Sequence, residues 1–192
     1  MLNVCHNTDI EEVIMKYTLT LFQIFILALY AQSANAIGAE RLLQIQRPPI
    51  NVPTTQFFDG SKQITLDSFK GHFVIVNFWA TWCAPCIMEM PSLDRAAENL
   101  SKNNVLVVAI NQDESGPTQV KEFLTRLKLR KTHILFDINK KSFRDFAIRG
   151  LPTTVLLSPS GKILARFEGY AEWDQGRLFE QIKTLTLTYK EE

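Results

Sequence analysis

Cysteine is scarce in this chain of 192 residues, which contains only Cys5, Cys83 and Cys86. Three cysteines are too few for a disulfide scaffold. A single C-x-x-C pair also lacks the second pair of ligands that a structural zinc site needs. His72 and His133 stand at no metal-ligand spacing. We therefore expect neither a disulfide framework nor a metal site.

A strong excess of charge is also missing, because the formal net charge is only +1. Proteins that bind nucleic acid need a basic patch, so nucleic acid is not an expected partner. Hydrophobic residues make up 46% of the chain and charged residues 21%. This composition is typical of a globular domain that buries a core of its own.

The chain lacks an apolar run long enough to span a bilayer comfortably, which takes roughly 20 residues. Its longest apolar stretch, residues 19–31, follows Lys16 and precedes an Ala-Asn-Ala sequence that ends at Ala36. This pattern predicts a secretory signal peptide within residues 1–36. The acidic residues before Met15 do not suit an export signal, which makes Met15 a candidate for the true start. The alternative is an uncleaved anchor in the inner membrane, and on either interpretation the rest of the chain is exported.

The exported part is predicted to consist of an extended lead-in over residues 37–52, a domain over residues 53–188 and a tail over residues 189–192. Strand and helix patterns in the domain alternate, which predicts an α/β fold with a central mixed sheet flanked by helices. The turn sequence Asp59-Gly60 adds an N-terminal β-hairpin. The other predicted strands are residues 73–79, 105–110, 134–136, 153–157 and 163–167, and the predicted helices are residues 84–100, 118–127, 141–147 and 173–187.

Cys83 and Cys86 lie where the apolar strand 73–79 gives way to a helix that begins near Ala84. The unpaired N–H groups and partial positive charge of a helix amino terminus stabilise a thiolate. Pro85 suits the first turn, because its missing N–H is no loss there. We predict that the Cys83 thiolate attacks a partner's disulfide and that Cys86 resolves the mixed disulfide, leaving the two cysteines oxidised. We predict no bound cofactor, because the redox-active disulfide of Cys83 and Cys86 carries the electrons.

The sequence V-I-V-N-F-W-A-T-W-C-A-P-C at residues 74–86 resembles the active-site signature of exported thioredoxin-like proteins of the TlpA/ResA/DsbE group. The E-M-P-S-L sequence from Glu89, the G-L-P-T-T sequence from Gly150 and the S-P-S-G-K sequence from Ser158 are typical of the same group. The resemblance covers residues 52–185. It implies a thioredoxin-like fold and the activity of a thiol:disulfide oxidoreductase in the periplasm.

The resemblance also implies a substrate-binding role for the G-L-P-T-T sequence. Pro152 is expected to form a cis peptide bond and to lie against the two cysteines, while the backbone of Leu151 pairs with the bound substrate. Thr153 is expected to belong to the same substrate-binding surface as Leu151 and Pro152. Trp82 abuts Cys83 and is expected to contribute a partly exposed contact for substrates, with interior packing as the alternative.

Two further residues are expected to tune the cysteines. Glu89 lies three residues after Cys86 on the same helix face, and in this group a glutamate at this position is linked to tuning the pair. Its carboxylate would transfer a proton to or from Cys86. The alternative, which stays open, is an exposed helix glutamate. Pro85, between the two cysteines, is the second tuning residue, whereas Asn77 is expected to be a satisfied polar residue at the edge of its strand.

Three functions remain in competition at this point. The first is a periplasmic reductase that takes electrons from a membrane thiol donor and reduces disulfide-bearing proteins, with apocytochrome c as a candidate substrate. The second is a dithiol oxidase, since the direction depends on the reduction potential. The third is a non-catalytic binding module on the same fold. A peroxidase is disfavoured, because the residues before Cys83 do not match P-x-x-x-T-x-x-C.

Overall fold

The computed structural model describes Met15 and residues 17–23, 42–114 and 116–190. The chain divides into two compact units, residues 1–40 and residues 41–192. In the first unit, Met15 and residues 17–23 are helical and exposed, while the predicted cleavage site after Ala36 lies outside the described residues. Among the helices of the described part, none combines the length and the apolar character needed to cross a membrane.

The second unit carries the strands and helices that the sequence predicts, with shifts of up to three residues at their ends, and one further strand that the sequence did not predict. Within its described residues the strands are β1 (Gln44–Asn51), β2 (Phe57–Phe58), β3 (Gln63–Ile64), β4 (Phe73–Trp79), β5 (Val105–Asn111), β6 (His133–Phe136), β7 (Thr153–Leu157) and β8 (Lys162–Glu168). The helices are α1 (Ala84–Leu100), α2 (Pro117–Leu127), α3 (Ser142–Asp145) and α4 (Gly176–Thr188). Two 3-10 helices cover Leu66–Phe69 and Ser101–Asn103.

All eight strands described belong to one sheet, in the order β1-β8-β7-β4-β5-β6-β2-β3. β4 pairs in parallel with β5, which pairs in parallel with β6, whereas β4 pairs antiparallel with β7. The predicted central mixed sheet is therefore confirmed. The predicted hairpin is present as the antiparallel pair β2 and β3, at the edge of the sheet beyond β6.

The central strand β4 is buried along its whole length, because it has a neighbouring strand on each side and a packed layer on each face. Its side chains alternate between the two faces, as a pleated strand requires. Ile75 and Trp79 join the apolar cluster that includes Met90 of α1, whereas Val76 and Phe78 join the cluster on the opposite face. This packing fixes α1, and with it the two cysteines, over one face of β4.

The predicted lead-in contains an edge strand. β1 pairs antiparallel with β8, with an irregular register between Ile45 and Ile50. The sequence pattern did not indicate a strand here, because β1 is almost entirely exposed and contains Pro48 and Pro49. Proline cannot donate to a ladder and is tolerated at sheet edges, where it also discourages pairing with another chain.

Candidate active site

The two cysteines lie at the junction between β4 and α1. Cys83 caps the amino end of α1 with an extended backbone, and the backbone N–H of Cys86 donates to the Cys83 sulfur over 3.4 Å. The two cysteines form a disulfide with their Cα atoms 5.3 Å apart, so the structure shows the oxidised state. Cys86 is completely buried, whereas Cys83 retains 6% of its surface. Of the two cysteines, only Cys83 therefore offers accessible surface.

The loop that joins β4 to Cys83 is fastened to the end of β5 by Asp113. The backbone N–H of Thr81 donates to Asp113 Oδ2 over 2.9 Å, and the Thr81 hydroxyl donates to Asp113 Oδ1. Asn111 donates its side-chain amide to the same carboxylate. Asp113 is itself buried. Sequence reasoning missed Asp113, because only the fold brings it next to the residues that precede Cys83.

Glu89 is buried beneath the active site with a hydrogen-bond donor on each side of its carboxylate. Asn77 Nδ2 donates to Oε1 over 2.7 Å, while the Ala171 backbone N–H and Trp173 Nε1 each donate to Oε2 over 3.1 Å. Its exposed fraction is 0%. The alternative of an exposed helix glutamate is therefore wrong, because the residue faces the sheet one turn beyond Cys86.

Burial raises the pKa of Glu89 from its ordinary 4.5 to about 7. The hydrogen bonds from Trp173, Asn77 and Ala171 oppose this change by favouring the carboxylate, and the charge of nearby Glu172 adds to it. Desolvation outweighs these donors, since a charge removed from water is disfavoured. Glu89 thus has a proton affinity suited to accepting and releasing a proton near neutral pH.

The expectation that Asn77 lies at the edge of its strand is wrong. Asn77 lies within the central strand β4, opposite Thr154 of β7 and Ala109 of β5, and is completely buried. Its amide nitrogen donates to Glu89 and also to the Thr154 hydroxyl, over 3.0 Å. The amide nitrogen of Asn77 therefore has two acceptors. Its buried Oδ1 has no hydrogen-bond partner among the described residues, so the expectation of a satisfied polar residue holds only for the nitrogen.

The final helix begins later than predicted, which places Trp173 in a loop over residues 169–175. α4 starts at Gly176, whose φ of 74° is a backbone conformation that favours glycine. The Trp173 side chain is fully buried, and it lies edge-on to the ring of Phe167 with 5.4 Å between ring centroids. The predicted helix over residues 173–187 therefore starts three residues too early, because Trp173 precedes it and packs against Glu89 and Phe167.

The loop that precedes β7 carries the predicted cis proline. The Leu151–Pro152 peptide bond is cis, and Thr153 at the start of β7 pairs with Phe78. Pro152 therefore lies at the same end of the sheet as the carboxyl end of β4, from which the loop to Cys83 departs. Thr153 is buried and its hydroxyl donates to the Gly150 carbonyl over 2.7 Å, so its side chain stabilises the loop.

A cleft of about 480 Å³ runs along this loop. Leu151 and Pro152 line one side, and Phe167 and Glu168 of β8 line another. Trp82 is 69% exposed beside Cys83, which excludes interior packing for it, whereas Trp79 is fully buried. The site therefore combines the Cys83–Cys86 disulfide with an exposed aromatic side chain and a cleft beside the cis proline.

These features together define a thioredoxin-like thiol:disulfide oxidoreductase. They are a mixed sheet, a C-x-x-C disulfide at the amino end of α1, a buried glutamate one turn further along α1, and a cis proline at the same end of the sheet. A model of the Redoxin family matches residues 50–182. The chain therefore belongs to the Redoxin family.

Two similar proteins carry names of the same enzyme class. The chain is 28% identical to the thiol-disulfide oxidoreductase ResA of Bacillus cereus over 178 residues, which are 90% of this chain and 99% of ResA. It is 32% identical to the thiol:disulfide interchange protein HelX of Rhodobacter capsulatus, over 71% of this chain and 81% of HelX.

A solved structure described as a thiol:disulfide interchange protein DsbE, from Chlorobium tepidum, superposes with a TM-score of 0.65 at 25% identity, over 72% of this chain and 96% of that chain. These similarities confirm the thioredoxin-like fold, the TlpA/ResA/DsbE group and the enzyme class inferred from the sequence.

The contacts of Asp113 predict a loss of activity when its carboxylate is removed. Asp113→Ala deprives Thr81 of both hydrogen-bond acceptors, which loosens the loop before Cys83 and is expected to slow disulfide reduction about tenfold. Asp113→Asn keeps one oxygen for the Thr81 N–H and offers an amide to its hydroxyl, so it should retain most of the activity. The rate of insulin reduction measures both variants.

The neighbouring exposed acid provides the control for this test. Glu114→Ala removes the same charge at a residue that has no hydrogen bond to the loop among the described residues, and it should leave the rate unchanged. Equal rates for the two alanine variants would show that Asp113 does not hold the active-site loop.

The raised pKa of Glu89 predicts that the protein becomes less stable as pH rises through neutrality. Because the folded pKa lies above the unfolded one, the stabilising contribution is complete below about pH 4.5 and is lost as pH rises through about 7. The full loss is about 3 kcal/mol in the free energy of unfolding. Urea denaturation at pH 5 and pH 8.5 measures it.

The variant Glu89→Gln does not titrate, so it should show a smaller fall in stability between these two pH values than the wild-type protein. The difference between the two slopes isolates Glu89 from all other groups. Parallel pH dependences would mean that Glu89 titrates in the folded protein as it does in the unfolded chain.

Proposed function

We propose that this protein is an exported reductase that donates the two electrons of its reduced Cys83–Cys86 pair to disulfides in partner proteins. The observation that carries the proposal is the difference between the two sulfurs. The Cys83 sulfur accepts a hydrogen bond from a backbone N–H and keeps some exposed surface, whereas Cys86 is fully buried one turn away from a buried carboxyl group. This asymmetry suits one sulfur for attack and the other for resolution.

In the first half of the reaction, the Cys83 thiolate attacks one sulfur of the partner's disulfide. A bond forms between Cys83 and that sulfur while the partner's own S–S bond breaks, and the second partner sulfur leaves as a thiolate that takes up a proton. The amino end of α1 favours the anionic form of Cys83 before the attack. Exposed Trp82 and the cleft along Leu151 and Pro152 provide the surface on which the partner chain lies.

In the second half, Cys86 must lose its proton before it can attack Cys83. Its buried position excludes bulk water as an efficient acceptor, and the Glu89 carboxylate one turn further along α1 takes the proton instead. The Cys86 thiolate then bonds to Cys83, the bond between Cys83 and the partner breaks, and the second partner thiolate is released. The products are a reduced partner and the disulfide seen in the structure.

The proposed location and partners rest on the signal-peptide pattern and on the resemblance to the exported TlpA/ResA/DsbE group. We place the protein in the periplasm, either free after cleavage of residues 1–36 or held at the inner membrane by them. A membrane thiol donor would return electrons to Cys83 and Cys86, because an oxidising compartment does not re-reduce them. Apocytochrome c, whose haem-binding cysteines must be reduced before haem attachment, is the proposed substrate.

The reduction potential of the cysteine pair tests the direction of the reaction. Equilibration of the protein with defined glutathione mixtures should give a value closer to the about −270 mV of thioredoxin than to the about −120 mV of a strong oxidant. The reduced protein should also reduce an oxidised Cys-x-x-Cys-His peptide faster than the same peptide with its cysteines spaced apart. A potential near −120 mV would assign the protein to disulfide formation instead.

A further inference from the structure

The loop over residues 169–175 is attached to the active-site helix at three successive turns. The Ala171 backbone N–H donates to Glu89, and the Trp173 backbone N–H donates to the Ser92 hydroxyl over 3.2 Å. Further along α1, Arg95 forms an ion pair of 2.6 Å with a carboxylate of the same loop, that of Asp174. The loop therefore lies along the side of α1 that carries Glu89.

Trp173 is held by contacts to both α1 and β8. Its indole is fully buried, and Nε1 donates to Glu89 Oε2 over 3.1 Å. The edge-on contact with Phe167 of β8 fixes the ring from the other side. A side chain held in this way presents its N–H to one acceptor only, and that acceptor is the carboxyl group proposed to serve Cys86.

The two oxygens of Glu89 are held by different parts of the fold. Oε1 accepts from Asn77 in the central strand, whereas Oε2 accepts from Trp173 and Ala171 in the loop. The direction in which the carboxyl group points is thus set by the loop and the strand together.

We propose that Trp173 is a positioning residue for the resolving step: its indole N–H fixes the orientation and the charge state of Glu89 and thereby controls how readily Cys86 gives up its proton. This inference rests on the proposed role of Glu89 as the proton acceptor. The donated hydrogen bond favours the carboxylate over the carboxylic acid, so it favours the form that is able to accept the proton.

The other buried indole near the site shows that burial alone does not explain this contact. Trp79 is as fully buried as Trp173, but its Nε1 has no hydrogen-bond partner among the described residues. Its ring packs against Phe123, with 6.3 Å between ring centroids. The chain thus contains one buried indole that fills space and one that also donates to Glu89, which supplies a matched control.

The groups that titrate around Glu89 are few in the described part of the chain. Its own helix contributes Cys86. The loop contributes Glu172, whose charge raises the pKa of Glu89, and Tyr170, whose pKa is raised by the charge of Glu89. The strands β4 and β7 contribute Asn77 and Thr154, which do not titrate. Few other groups could therefore account for a change in the pKa of Glu89 when Trp173 is replaced.

The experiment compares Trp173→Phe with Trp79→Phe, each of which replaces a buried indole by a smaller ring. The rate at which Cys86 resolves a preformed Cys83 mixed disulfide is followed as a function of pH. Trp173→Phe removes a donor to the carboxylate, so the inflection assigned to Glu89 should rise by about one pH unit above that of the wild-type protein. Trp79→Phe should leave it in place, and Trp173→Phe should have no further effect on the inflection in a Glu89→Gln background.

A second measurement does not require either variant to fold. In the wild-type protein, the indole N–H resonance of Trp173 should shift upfield as Glu89 is protonated, with a midpoint at the Glu89 pKa of about 7, and this shift should vanish in Glu89→Gln. The proposal is overturned if that resonance does not follow Glu89, or if the two phenylalanine variants have the same pH profile. If the resonance follows Glu89 but Glu89→Gln resolves the mixed disulfide at the wild-type rate, the proton-transfer role fails while the contact stands.

Discussion

The hydrogen bond from the Cys86 backbone to the Cys83 sulfur is the contact on which the rest of the site depends. It exists because α1 begins immediately after Cys83, so the first free N–H groups of the helix face that sulfur. The position of α1 follows in turn from its packing over β4, where Met90 shares an apolar cluster with Ile75. The reactivity of one sulfur is thus a consequence of how a helix is placed on a sheet.

The second constraint is the burial of Glu89 under the same helix. A carboxyl group removed from water would ordinarily be a liability, but here three donors from β4 and the 169–175 loop surround it. The balance between desolvation and these donors keeps the pKa of Glu89 near 7. In the proposed reaction, an accessible sulfur stabilised by a helix terminus makes the attack, and a buried sulfur that passes its proton to a nearby acid completes it.

The extent to which the sequence predicts this arrangement depends on whether a feature is local. The C-x-x-C pair, the strand before it and the helix after it are contiguous, so their apolar runs and spacing predicted them correctly. The burial of Glu89 stayed an open alternative, because the donors at Ala171 and Trp173 are more than 80 residues away. Asp113 was missed for the same reason, and β1 was missed because its exposed, proline-containing sequence lacks the pattern of a strand.

The central claim is that the start of α1 holds the Cys83 sulfur as an anion in the reduced protein. The rate of alkylation of Cys83 by iodoacetamide as a function of pH measures this directly, with mass spectrometry to show which cysteine has reacted. Free cysteine titrates at about pH 8.5, and the helix terminus should bring the midpoint for Cys83 to about 7.5 or below. A midpoint at or above the value for free cysteine would contradict the account.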